Sequence, residues 1–150
     1  MVVLVPSRAD DALELYRTAF ALALEARRVV VCIEPIALYH ARDLHSPGDG
    51  LWAAPAPSGG ASFAEPRVYQ PEAADLVIAS YGNGVWMSLR AAKRLERETG
   101  RRARVLDLRW LAPLPERQVL EHARECGRLL VVDECRRTGN ISEPLAAAVL

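Results

Sequence analysis

The feature that most constrains this chain is a rhythm. Short apolar, β-branched runs at residues 1–5, 29–33, 75–80, 104–108 and 128–133 alternate with helical stretches, and no hairpin turn joins any two of the runs. Continuous apolar runs of this length predict strands buried on both faces, as in a parallel sheet. Helices between parallel strands supply the crossovers, so the expectation is an α/β fold with a mainly parallel sheet and helices on both faces.

The intervening segments carry helix signals. Ala12, Leu15, Ala19 and Leu22 repeat at helical spacing over residues 9–26, with Ser7 as the predicted N-cap, Asp10 and Asp11 in the first turn, and Arg27 and Arg28 closing the helix. Val85, Leu89, Ala92 and Leu95 predict a second helix over 85–98, stopped by Gly100. Pro113 and Pro115 turn the chain into a third, 116–125, which Gly127 ends, and a fourth starts near Ser142.

Between these regions the composition changes. Residues 41–66 are rich in Gly, Pro, Ser and Ala and lose all periodicity, so they predict a linker that is partly extended and mobile. The chain divides into residues 1–40, this linker, and residues 67–150. With 150 residues it suffices for one ordinary domain or two small pieces sharing a core. Nineteen basic groups balance nineteen acidic ones and interleave with them, which leaves no long-range field to gather nucleic acid or anionic lipid. No apolar run reaches membrane-span length. Cys32, Cys126 and Cys135 are odd in number and lack metal-ligand spacing, so reduced thiols, buried at Cys32 in its apolar run and Cys126 in its helical pattern, and a cytoplasmic location are expected.

Three segments, in order, carry a resemblance. The first is Val-Leu-Val with Pro6-Ser7, a helix, and an apolar run ending in Glu34-Pro35 and Leu38-Tyr39. The second is Ala-Asp-Leu-Val-Ile-Ala-Ser with Tyr81-Gly82, followed by Asp107-Leu108-Arg109 and Pro113-Leu114. The third is Leu-Leu-Val-Val with Asp133-Glu134, then Arg137-Thr138-Gly139 and a helix. In this order and at these distances they resemble the beta subunit, or fused beta half, of the thiamine diphosphate-dependent decarboxylating component of 2-oxo-acid dehydrogenase complexes, in its C-terminal portion. Transketolase and deoxyxylulose phosphate synthase share the second and third patterns more loosely.

The resemblance implies that residues 1–40 are the tail of a pyrimidine-binding domain and 67–150 an incomplete transketolase-like C-terminal domain. It implies oxidative decarboxylation of a 2-oxo acid with transfer of the acyl group to lipoamide, by a complete enzyme that uses thiamine diphosphate and magnesium. The activating Glu and the magnesium motif lie in parts of the family outside this chain. No cofactor is therefore expected on the chain alone, which is expected to be inactive and an excised piece, since it begins on a strand and ends in a helix. The implied partners are an alpha subunit or fused alpha half, a second beta subunit and a dihydrolipoyl acyltransferase core, with neither nucleic acid nor membrane among them.

This chain departs from the family pattern at Ile36, His40, Pro115 and Asn140-Ile141-Ser142, and Arg27 and Arg28 stand where some members bind potassium, where they would repel the ion. Gly48-Asp49-Gly50 has the form of the magnesium motif's first triplet but lies in the linker without downstream paired asparagines. Gly82-Asn83-Gly84 precedes a helix and could hold an anion or simply serve a tight turn. His40 and His45 read as surface histidines and His122 as an exposed one without a partner. Glu34, Asp133 and Glu134 follow strands, where open parallel sheets place functional groups, and ion pairs with Arg109 or Arg137 are the alternative use. Tyr81, Glu134 and Arg137 are the candidates for interface or channel-lining roles. A free-standing binding module with the same α/β layout is the reading from another class.

Overall fold

The structure, a computed structural model, describes residues 1–149. Two sheets share the chain. β1 (Val2–Leu4) leads through α1 (Ala9–Leu24) to β2 (Val30–Cys32), which returns parallel to it, Val2 opposite Val30 and Leu4 opposite Cys32. The other side of β1 is taken by a strand from much later in the sequence. After β3 (Arg67–Tyr69), β4 (Leu76–Ser80), α2 (Asn83–Thr99) and β5 (Ala103–Asp107), β6 (Trp110–Ala112) pairs antiparallel with β1. α3 (Glu116–Cys126), β7 (Leu129–Val131) and α4 (Ser142–Val149) follow. The first sheet has the order β2-β1-β6, and the second β3-β5-β4-β7.

The second sheet shows why continuous apolar runs mean burial on both faces. β4 is parallel to both β5 and β7, and only β3 runs against its neighbour. Ile78, Ala103 and Val105 point to one face and meet Val85, Leu89 and Ala92 of α2. Val77, Ala79 and Leu106 point to the other and meet Val119 and Cys126 of α3 and Leu145 of α4. Side-chain alternation along each strand thus feeds two separate apolar layers. The turn into α2 depends on glycine, because a Cβ at Gly84 would lie 2.0 Å from the Ser80 hydroxyl. α2 and α3 both stop at glycines in the left-handed region, Gly100 and Gly127, as the sequence predicts.

Several details differ from the sequence reading. β3 and β6 each span three residues, too short to show a period, and both pair antiparallel. Ser7 does not cap α1 with its side chain; its backbone N–H instead donates to the Asp11 carboxylate at 3.2 Å. α1 ends at Leu24, before Arg27 and Arg28, and Arg27 lies outside it with a positive φ of 50°.

The segment 41–66 is bonded along its length rather than loose. The Asp49 carboxylate accepts from the N–H groups of Leu44, His45, Ser46 and Leu51, and Asp43 accepts from Gly48 and Gly50. Trp52 is 2% exposed, packed with the α2 layer. Ala61 joins Val2, Leu4, Leu15 and Trp110 in the core of the first sheet, where Phe63 stands edge-on to Trp110 with ring centroids 5.1 Å apart. Aspartate acceptors and two aromatic anchors outweigh the flexibility that the Gly/Pro content suggests. No helix among the described residues is long and apolar enough to cross a membrane.

Candidate functional site

The parallel strands of both sheets converge on one place. Val5 follows β1, Ile33 follows β2, Tyr81 follows β4 and Glu134 follows β7, and all four line a single cleft of about 460 Å³. Its remaining wall comes from Leu111 of β6, the Gly82-Asn83 turn and the loop entering α4. The carboxyl ends of parallel strands are where open α/β sheets place ligands and contacts. Here two of the strand ends come from each sheet.

Polar groups fix this rim. The Tyr81 hydroxyl donates to Asp133 Oδ1 at 2.6 Å, and the other Asp133 oxygen accepts from the Ser142 N–H at 3.1 Å. One carboxylate thereby ties the ends of β4 and β7 to the start of α4. Burial, followed by the hydrogen bond to Asp133, pushes the Tyr81 phenol well above its ordinary range, so it stays a neutral donor. The Ser80 hydroxyl donates to Val132 O at 2.8 Å and closes the same strand pair beneath it. Glu134 is exposed at the mouth. The arrangement suits holding and orienting a neighbour.

The sequence candidates therefore separate. Tyr81 and Glu134 share the cleft, whereas Arg137 is exposed on the loop between β7 and α4. Glu34 and His40 border a second hollow of about 350 Å³ with Ser7, Arg8 and Trp52, and Glu34 accepts a hydrogen bond from the Tyr39 hydroxyl. His122 is not the partnerless exposed histidine expected. It is half-buried with Nδ1 2.6 Å from Arg104 Nη1, and burial and that cation lower its pKa. Cys126 is buried as expected; Cys32, expected buried too, is only half-buried because β2 is covered on one face, and Cys135 is exposed, all as free thiols.

The Gly48-Asp49-Gly50 triplet, which has the form of the family's magnesium motif, has no carboxylate oxygen left for a metal. Both oxygens of Asp49 are spent on four backbone N–H groups, Leu51 foremost, which hold its carboxyl far below the usual carboxylate range. Among the described residues no three His, Cys, Asp or Glu side chains gather as a metal site.

Sequence reasoning missed an ionic seam between the sheets. Arg109, buried and with a positive φ of 56°, reaches Asp11 at 3.2 Å and Glu14 at 3.5 Å with Nη1, and donates to Glu65 O through Nε and Nη2. Arg67 of β3 grips Asp10 at 3.1 Å and Glu14 at 2.9 Å. α1 is thereby clamped to the second sheet. Asp107 lies fully buried beside this seam, with Oδ2 unpartnered. Burial, then the negative charge of Asp11, raises its pKa well above the ordinary value; burial likewise raises Asp11 against the pull of Arg109 and Arg67. The sequence offered Arg109 as an ion-pair partner for Glu34, Asp133 or Glu134; its partners are instead Asp11 and Glu14, while Glu34 accepts from Tyr39 and Asp133 from Tyr81 and Ser142.

A sheet with parallel inner strands, an antiparallel edge and helices on both faces, closed by glycine-capped helices, defines the mixed α/β class of this fold. Residues 67–150 match the family described as "Transketolase, C-terminal domain", and the chain belongs to that family. Its relatives include both synthases and dehydrogenase subunits. A 1-deoxy-D-xylulose-5-phosphate synthase of Thermomicrobium roseum is 33% identical over 161 residues, covering 100% of this chain and 22% of that protein. The 2-oxoisovalerate dehydrogenase subunit beta of Bacillus subtilis is 37% identical over 78 residues, covering 52% of this chain and 24% of the relative. A solved split gene transketolase, described as an inactive beta4 tetramer, superposes with a TM-score of 0.66 at 24% identity, covering 99% of this chain and 44% of its own. The chain spans less than a quarter of the length of these two curated relatives.

Proposed function

We propose that this chain is part of the beta subunit, or fused beta half, of a thiamine diphosphate-dependent 2-oxo-acid dehydrogenase of the pyruvate or branched-chain type. The complete enzyme oxidatively decarboxylates a 2-oxo acid and passes the acyl group to lipoamide. In this reading residues 1–40 are the end of the pyrimidine-binding domain, 41–66 the linker and 67–150 the C-terminal domain, and the enzyme is cytoplasmic. The chain's own work is assembly and support of the cofactor site, a role suited to the Asp133 carboxylate that ties the ends of β4 and β7 to the start of α4. Tyr81 and Glu134 line the interface or substrate channel, with Arg137 at its rim. The partners are an alpha subunit or alpha half, a second beta subunit and the acyltransferase core.

The observation that carries this reading is the cleft in which strand ends from both sheets meet, since a site to which both sheets contribute supports whatever docks across the seam. The exposed strip on β2 and beyond it, Val31, Ile33, Ile36 and Tyr39, is a further apolar surface suited to burial in assembly.

The test is to assay the complete enzyme containing this chain with 2-oxo acids and lipoamide, and separately with a 2-oxo acid and a sugar phosphate acceptor. Acyl-lipoamide formation supports the dehydrogenase. The second reading, a deoxyxylulose phosphate synthase or transketolase type of transferase, is favoured by the likeness to the Thermomicrobium synthase along the whole chain. Exclusive turnover with sugar phosphate would establish it instead.

A further inference from the structure

The outer face of α2 carries a stripe of cations that neither the fold nor the proposed function uses. Arg90, Lys93, Arg94 and Arg97 line an open groove of about 830 Å³ with His45, and Glu96 is the groove's one carboxylate. Glu96 already faces Arg102 at 3.4 Å, and Glu98, next along the helix, is shared by Arg94 at 2.8 Å and Arg97 at 3.5 Å. Among the described residues, Arg90 and Lys93 have no carboxylate partner. In a chain whose charges otherwise balance, this is a local excess.

Helix stability does not account for it. Like charges three and four residues apart destabilise a helix by a few tenths of a kcal/mol per pair. The helix dipole favours a cation in the last turn, which covers Arg97 but not Arg90 in the middle of α2. Arg90 is also held ready. Its guanidinium stacks over the Trp86 ring at 4.4 Å, and Trp86 is fixed by donating from Nε1 to Asp43 O at 3.0 Å. A stacked guanidinium keeps its edge free for a bidentate carboxylate. The exposed Met87 lies one turn earlier and offers an apolar anchor beside the charges.

We propose that this groove binds an acidic segment of a partner protein, with Arg90 and Lys93 as its principal contacts. From Arg90 to Arg97 the stripe spans roughly 10 Å along the helix axis, which suits two carboxylates on successive turns of a helix or a few residues apart in an extended chain. A single small anion engages only one end of such a row. A nucleic acid would lay a continuous run of phosphates against Glu96 and Glu98, whereas a peptide can space its carboxylates to avoid them. The inference concerns a surface remote from the cleft and stands whichever thiamine-enzyme reading holds.

Fluorescence anisotropy of the full chain with a labelled, Glu-rich peptide of about 12 residues tests it. The controls are the same peptide with Gln for Glu, and an oligothymidylate of matched length. The acidic peptide binds, weakens with added salt, and loses roughly tenfold or more in affinity in the Arg90→Glu/Lys93→Glu double variant and in its Gln form. Arg90→Lys, which keeps the charge but loses the fork and the stacking, falls between. Arg117→Glu on the exposed face of α3 leaves binding unchanged. All three substituted side chains are exposed, and an unchanged circular dichroism melting curve verifies folding of each variant. The proposal is overturned if no binding is seen at about 1 mM, if Arg117→Glu weakens binding as much as the double variant, or if the oligothymidylate binds more tightly than the peptide.

Discussion

The two sheets are built from the same strand–helix–strand grammar and end covered to very different degrees. In the four-stranded sheet the inner strands β4 and β5 are buried on both faces, closed by α2 on one side and by α3 and α4 on the other. In the three-stranded sheet only one face of β1 and β2 has a packed layer. β2 leaves Val31 39% and Ile33 50% exposed around it, and α1 buries only Asp11 and Leu15 fully while Phe20 and Leu24 face outward. The first sheet relies instead on what the later part of the chain lends it, namely the strand β6 with Trp110 and the guanidinium of Arg109. Local propensity makes strands and helices in both places, but only a complete set of layers makes a sheet self-sufficient.

The largest effect should come from cutting the seam. Arg109→Met strands Asp11 and the Glu65 carbonyl, and is expected to cost about 3–5 kcal/mol in urea denaturation. Amide exchange should then open α1 and β1 while β4 and β5 stay protected; equal opening of both sheets would show a single cooperative unit and dissolve the contrast. Trp52→Ala attacks the other side. It empties a position in the α2 layer and should cost about 3 kcal/mol, with exchange rising in α2 first. Tyr81→Phe, which removes the donor to Asp133, should cost about 1 kcal/mol and loosen the start of α4.

Charge on the uncovered side should do almost nothing to the fold. Ile33→Lys is expected to shift unfolding of the chain by no more than about 0.5 kcal/mol. The same substitution should reduce self-association or capture by partner subunits in sedimentation velocity, and unchanged association would mean that this strip is not an interface. The subtlest effect is one of slope. Folding raises the pKa of Asp107, so its contribution is fullest below the ordinary carboxylate value near about 4 and is lost as pH rises through the raised one. Asp107→Asn carries no such titration. Its stability relative to the parent chain should therefore climb from acid toward neutral pH in parallel denaturation series, and a constant difference would show that Asp107 titrates normally.

Most of the second sheet was legible because its signals are local. The apolar runs of β4 and β5, the period of α2, and Gly100 and Gly127 each announce themselves within a few residues. β3 and β6 were not, since neither sits in an apolar run of strand length and each owes its place to β5 or β1, distant in sequence. The cleft was half legible: Tyr81, Asp133 and Glu134 follow strands, but that Val5 and Ile33 share their cavity depends on how the two sheets meet. The Arg109 seam was hidden for the same reason, because its partners Asp11 and Glu14 lie on a helix nearly a hundred residues earlier. Asp49 was rightly set aside as a metal ligand, but that its carboxylate organises the loop's own backbone was not legible.

That knotted aspartate loop sets how far the two sheets can wander. Fully extended, residues 41–66 could reach roughly 90 Å, slack enough for either end to sample a large volume. Coiled around Asp43 and Asp49 and stapled by Trp52 and Ala61, the same stretch acts as a short leash. Should the seam open, the parted surfaces stay at high effective concentration for one another, so rejoining is favoured over capture by a neighbouring molecule.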